Sequence, residues 1–442
     1  MMFNKVLRFT QEKLNFLYEN SLILRNVDRL IFVAIISVFL FSTVMSSDVL
    51  GFVALITVIL TFFRVCTTPD DKFEPNKFEL WLLAYFMIVI ISLAGSTLFL
   101  LSLKGFIKTF TYLGFYVSIV HYLKNHKYHI PHILGAIGVG VTFESITGLM
   151  QNFARVDEIS TWQDVSNLNP EQVMTRVYGT LLPLNPNLLG GYFVAGIPSL
   201  FGLVAMFFAD KRYEHGIIFS VLALLSVAVL FMTGCRGAYI GCMIIFLGIF
   251  LIGAKFLWHK YKKIFISVVV SAFVLVSTAI ISLSSLRARI CSIFAMRQDS
   301  SNSFRFNVYQ SSIQMFKDNW LLGIGVGNKN FREIYGLYMR TGFDALSAYN
   351  IFLETAVESG IFALITFLGF IIVMIKRGIS FILNSDNIKD IIFVAVAVIS
   401  VCAMMVHGLV DTVFFRPQIQ FIFWAMVAII SAVLNNKNSN EV

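Results

Sequence analysis

The sequence predicts an all-α, polytopic membrane protein, and three observations carry that expectation. Apolar runs of about 20 residues, the length that crosses a bilayer as a helix, recur along most of the chain. Hydrophobic residues make up 57% of it and charged residues only 13%, with a mean hydropathy of +0.79, whereas a soluble domain carries about 25% charged residues. Lys and Arg, finally, gather in alternate loops between the apolar runs, the bias that orients membrane helices. The low proline count of 8 and the length of the runs favour helices. A transmembrane barrel would instead alternate in segments of about 10 residues.

Twelve spans are expected, at 30–47, 49–66, 78–95, 97–122, 131–151, 184–207, 214–233, 237–254, 263–284, 347–375, 388–411 and 418–435. Only Ser46, Ser47 and Asp48 separate the first two, so these form a tight hairpin. The spans divide the chain into an N-terminal segment (1–29), a first bundle (30–151), a loop (152–183), a transmembrane core (184–284), a large loop (285–346), C-terminal helices (347–435) and a tail (436–442). If the N-terminus is cytoplasmic, the inner loops hold Lys124, Lys127, Lys211, Arg212, Lys255, Lys262, Lys263, Lys376, Arg377 and Lys389 among others. The short outer loops hold only Arg155, Arg176, Arg236 and Arg416. Both termini are then expected inside a cytoplasmic membrane and both long loops outside.

The formal charge of +9 therefore needs no nucleic acid; membrane orientation accounts for it. The five Cys (66, 235, 242, 291 and 402) show no metal-ligand spacing and read as inert packing residues. No metal and no cofactor is expected, and the oligomeric state is left open. The first apolar run starts only at Leu30 and no small-residue cleavage site follows it, so it does not read as a signal peptide.

Unusual polar residues collect at the predicted outer mouth. Arg176 opens RVYGTLLPLNPNLLGGY (176–192), Arg236 lies in the turn TGCRGAYIG (233–241), Arg305 in SFRFNVYQSS (303–312), and Asp411 and Arg416 in HGLVDTVFFRPQ (407–418). A guanidinium is always charged and offers a planar fork of donors to phosphate oxygens. One such Arg alone would as readily snorkel to lipid headgroups or cap a helix; several on one surface point to a diphosphate. The Gly-rich turn in WLLGIGVGNKNF (320–331) has the composition to present backbone N–H groups to an anion. Lys104 and Glu144 are expected at equal depth, roughly 10 Å into the bilayer on neighbouring helices. There they would form a buried ion pair, structural or functional. Glu354 and Glu358, one turn apart, either cap the chain or line the cavity, and His407 reads as a helix-packing residue.

These segments resemble the O-antigen ligase/polymerase superfamily. The resemblance runs from about 176 to 362, through RVYGTL, NPNLLGGY, TGCRGA, RFNVYQSSIQMFKDNWLLGIGVGNKNF and SAYNIFLETAVESGIFAL. SAYNIFLE and GLVDTVFFRPQIQFIFW (408–424) are most similar to the IctB-type branch, whose proposed cargo is bicarbonate. The resemblance implies a GT-C-like glycosyltransferase that takes a glycan from an undecaprenyl diphosphate carrier, a lipid-linked partner, and passes it to a lipid or glycan acceptor. It implies diphosphate binding by Arg236 and, in the large loop, by Arg305. The family's His-Asn motif before span ten corresponds to Tyr349 and Asn350. A phenol with a pKa near 10 is a poor base at pH 7, so acceptor activation by Tyr349 competes with Glu354 or Asp411. A small-anion transporter is the alternative reading, with Lys104 and Lys108 as its deep cations.

Overall fold

The computed structural model describes residues 2–68, 76–154, 176–294 and 300–438, and there is no strand among them. Most of the first long loop (155–175, with Arg155) and residues 295–299 of the second lie outside the described residues. The helices are α1 (Met2–Asn20), α2 (Leu22–Arg25), α3 (Val27–Leu40), α4 (Ser47–Thr67), α5 (Lys77–Gly95), α6 (Phe99–Asn125), α7 (Ile130–Ala154) and α8 (Pro186–Ala209). They continue as α9 (Tyr213–Met232), α10 (Arg236–Ser282), α11 (Ser284–Cys291), α12 (Ser300–Asp318), α13 (Asn328–Tyr335), α14 (Ile351–Asn384), α15 (Ile388–His407) and α16 (Pro417–Asn438).

Local chemistry sets several starts. The Ser46 hydroxyl accepts from Val49 N at the head of α4, Asn76 and Glu79 form a capping box on α5, and Asn185 with Pro186 opens α8.

Ten described segments are long and apolar enough to cross a membrane, against the twelve expected. The first expected span forms α3, with 14 residues, about 21 Å against a hydrocarbon core of about 30 Å. It buries Val27, Ile31, Ile35, Val38 and Phe39. The fourth forms α6, which is long enough at 27 residues but less apolar, with Lys104 and Lys108 both exposed.

Two helices are broken, and both breaks shape the functional end. In α10 the backbone departs from helical geometry at Tyr261, and the Phe250 and Phe265 rings stack with centroids 5.6 Å apart. An unbroken helix would separate those residues by about 22 Å, so the chain folds back along itself. In α14 the break is Gly360, at φ +80°, and residues 320–325 fill it. Ile361 N donates to Trp320 O (2.9 Å), Ile324 N to Val357 O (3.0 Å) and Gly325 N to Glu358 O (2.8 Å).

At the centre stand α16, α15 and α8, with 94%, 83% and 67% of their apolar windows buried, against 7% for Tyr261–Ser282. Small residues permit this proximity: a Cβ on Gly202 would lie 2.4 Å from Val396 Cγ2, and one on Gly196 2.4 Å from Val141 Cγ2. The basic loops lie at one end, tied by Arg64–Asp28 (2.8 Å), Lys127–Asp390 (2.6 Å) and Lys389–Asp210 (2.9 Å). The other end carries the arginine turn.

Candidate functional site

The site is built on the turn between α9 and α10. Gly234 takes φ +62°, which reverses the chain and starts α10 at Arg236. Its carbonyls are gripped from two sides. Arg176 donates from Nε to Thr233 O (2.8 Å) and from a terminal nitrogen to Asn187 Oδ1 (2.6 Å). Arg289, from α11, donates from Nε to Gly234 O (2.8 Å). Arg236 reaches in the opposite direction, to Ser292 O (3.1 Å) and Ser292 Oγ (3.2 Å). The turn and the segment 289–292 therefore hold each other.

A second chain of contacts extends from Asn187. Its amide donates to Asp411 Oδ2 (3.2 Å), and Arg305 approaches the same carboxylate at 3.7 Å. The other oxygen, Asp411 Oδ1, accepts from Thr412 N (2.7 Å) and Val413 N (3.1 Å), so the carboxylate is fixed by its own turn. The Arg305 guanidinium lies over the Tyr349 ring, 5.6 Å from its centroid, and its Nε is buried without a hydrogen-bond partner. Arg305 is thus linked to Arg176 through Asp411 and Asn187, and Arg176 meets Arg236 at the turn. Burial lowers the pKa of Arg176, and the charges of Arg236 and Arg305 act in the same direction. Like charges held this close repel one another, which is why they lower its pKa beyond the effect of burial.

Of the arginines expected at the outer mouth, Arg176, Arg236 and Arg305 come together here. Arg416 does not: it is exposed at the start of α16, and its electrostatic neighbours are Tyr112 and Glu354. Asn187 and Arg289 complete the geometry and were not singled out from sequence. The Asn-Pro-Asn at the head of α8 was a usable signal for the first. Arg289 lay among basic residues of a long loop whose charge carries little orienting information.

The roles expected around Tyr349 are filled differently. Tyr349 sits at φ +51°, a rare conformation for a non-glycine residue. Burial raises its phenol pKa, with Asp411 acting in the same sense, so the group stays protonated at neutral pH and serves as the ring beneath Arg305. Asn350 caps α14, accepting from Phe352 N (2.9 Å) and Leu353 N (3.0 Å) while donating to Leu409 O (3.0 Å). Glu354 is buried and accepts from Ala348 N (3.1 Å); Glu358 is buried and accepts from Gly327 N (2.8 Å). Both carboxylates anchor the loop that precedes or fills α14. The Gly-rich turn is correspondingly turned inward: the N–H groups of Gly323, Ile324, Gly325 and Gly327 all have protein acceptors, which leaves none of these for an anion.

The expected Lys104–Glu144 pair does not form. Glu144 is fully buried and accepts from Thr180 N (3.0 Å) and Thr180 Oγ1 (2.5 Å), whereas Lys104 faces outward. His407 is a packing residue, as expected, with Nε2 3.8 Å from Cys235 Sγ. Among the described residues no group of three His, Cys, Asp or Glu is placed to hold a metal ion.

No curated protein matches the chain. Residues 221–368, about a third of it, match the family model for O-antigen ligase, a stretch that contains Arg236, Arg289, Arg305 and Tyr349 but neither Arg176 nor Asp411.

Proposed function

We propose that this chain is an O-antigen ligase-like membrane glycosyltransferase. It moves a glycan from a polyprenyl diphosphate carrier, such as undecaprenyl diphosphate, to a lipid or glycan acceptor at the outer face of the cytoplasmic membrane. The observation that carries the reading is the meeting of Arg176 and Arg236 at one turn, with Arg305 joined to Arg176 through Asp411 and Asn187. The ligase match over 221–368 supports it independently.

In the transfer, the bond from the anomeric carbon to a diphosphate oxygen breaks. The acceptor oxygen bonds to that carbon and releases its proton to solvent, and the diphosphate leaves with added negative charge. Guanidiniums already fixed in position stabilise that charge as it develops, without reorganising at the moment of reaction. Arg236 stands at the α10 terminus, where the carrier's headgroup would meet the membrane mouth. Tyr349 and Asp411 act by holding Arg305, and the Asn350 cap holds the turn that follows α15.

A small-anion transporter is the weaker reading. It relies on cations partway through the bilayer, and Lys104 and Lys108 are exposed on α6 while the arginines gather at one end.

The test is transfer by purified protein in nanodiscs, supplied with a polyprenyl-diphosphate-linked glycan and an acceptor. Arg236→Ala should lower turnover by about 100-fold or more at unchanged folded yield. Arg236→Lys should retain only a remnant, because a point charge lacks the paired fork. Full transfer by Arg236→Ala, with loss of bicarbonate uptake in the same variant, would replace the ligase with the transporter.

A further inference from the structure

Arg289 is a half-buried cation for which the reading above supplies no task. It comes from α11, after the folded-back half of α10, and reaches the carbonyl of Gly234. Arg176 holds the preceding carbonyl, Thr233 O, so two guanidiniums flank the turn from which Arg236 emerges. The Ser292 hydroxyl donates to Arg289 O (2.8 Å) while Ser292 accepts from Arg236, so all three side chains are positioned by one short set of contacts.

Among the described residues no carboxylate pairs with Arg289, and its side chain makes no hydrogen bond other than the one from Nε. Burial and the neighbouring charges of Arg176 and Arg236 pull its pKa down to about 10, still far enough above neutrality to keep it charged. The charges of Arg176 and Arg236 both oppose that of Arg289. An anion bound between them reverses the sign of that interaction.

We infer that Arg289 is a further guanidinium of the anion site, directed at the charge that appears on the departing diphosphate. The inference rests on the transfer reading above. A carrier-linked diphosphate is a diester with about two negative charges. Released as a monoester it gains about one more, whose proton titrates near pH ~6. Arg236 and Arg305 meet the charge already present in the bound carrier, and Arg289 meets the increment. It therefore contributes more in the transition state and product than in the ground state, which is the condition for raising turnover rather than affinity for the carrier.

The experiment uses the full-length protein in nanodiscs, with inorganic pyrophosphate as the probe and glycan transfer measured in parallel. Arg289→Gln should weaken pyrophosphate binding about 10-fold or more, as expected for loss of a charge-assisted contact. It should lower kcat more than it raises KM for the carrier, and Arg289→Lys should recover part of both. The transfer deficit should be larger at pH 8 than at pH 5.5, because the released diphosphate monoester carries its extra negative charge only above about pH 6. Arg287→Gln is the control, since Arg287 is two residues away, exposed and bonded to Ile281 O (2.8 Å); it should behave as wild type. If Arg289→Gln binds pyrophosphate as tightly as wild type while Arg236→Ala does not, the assignment of Arg289 is wrong and the site stands without it. If neither change affects pyrophosphate, the diphosphate reading of the whole site falls.

Discussion

Asp411→Asn separates the charge of the central carboxylate from its shape. Asn still offers one oxygen to Thr412 N and Val413 N, so the turn after α15 should keep its two backbone hydrogen bonds. On the other side, an amide now faces the Asn187 amide and the Arg305 guanidinium, which were 3.2 Å and 3.7 Å from Asp411 Oδ2. At 3.7 Å and an effective dielectric of about 20, the gross attraction lost is roughly 4–5 kcal/mol. Since Arg305 and Asp411 side chains are only 18% and 6% exposed, water restores little of it. Breaking one partner of such a buried pair costs on the order of 3 kcal/mol in stability.

The functional consequence has two signs. Removing a negative charge beside the diphosphate should leave pyrophosphate affinity unchanged or tighter, while Arg305 loses the contact that fixes it and turnover falls by about 10-fold or more. The assay is a double-mutant cycle on kcat, with Asp411→Asn, Arg305→Gln and both together. If Asp411 acts through Arg305, the carboxylate change should matter little once Arg305 is gone, giving a coupling of about 1–3 kcal/mol. Losses that add to within about 0.5 kcal/mol would refute the relay.

Tyr349→Phe keeps the ring beneath Arg305 and should preserve transfer within about threefold. Because the phenol is raised above 10 and does not titrate between pH 6 and 9, the pH–rate profile should keep its shape; loss of an alkaline-rising limb would restore a base role. Glu144→Ala leaves the buried Thr180 N–H without its acceptor and should destabilise by about 1–3 kcal/mol, whereas Lys104→Met should be near neutral and give no rescue. Partial recovery of folded yield in the double variant would bring back the ion pair. For orientation, single cysteines in a cysteine-free background should be modified from outside intact cells at position 328 and spared at position 262. The reverse pattern would place the arginine turn in the cytoplasm and end the transfer reading.

Composition and the length of the apolar runs determined the class of this protein, because hydrocarbon admits helices whose backbone polar groups bond within the segment. The same information located Arg176, Arg236 and Arg305 at one end, since alternate loops of a helical bundle must share a side. Tertiary structure decided what those residues touch. The apolar runs at 237–254 and 263–284 already placed the reversal of α10 between them, whereas a span count from hydropathy could not tell that α3 stops after Leu40. Depth along a helix does not report direction around it: Lys104 and Glu144, expected at equal depth, face outward and inward respectively. The glycines of 323–327 carry the composition of an anion nest, yet Asn319 O takes the Gly323 N–H, and Glu358, beside the break at Gly360 more than 30 residues further on, takes those of Gly325 and Gly327. Arg289 became visible only when the fold-back of α10 carried α11 to the carbonyl of Gly234. Charge type and periodicity are local properties of a chain, whereas the balance of buried charges is a property of the neighbours that folding supplies.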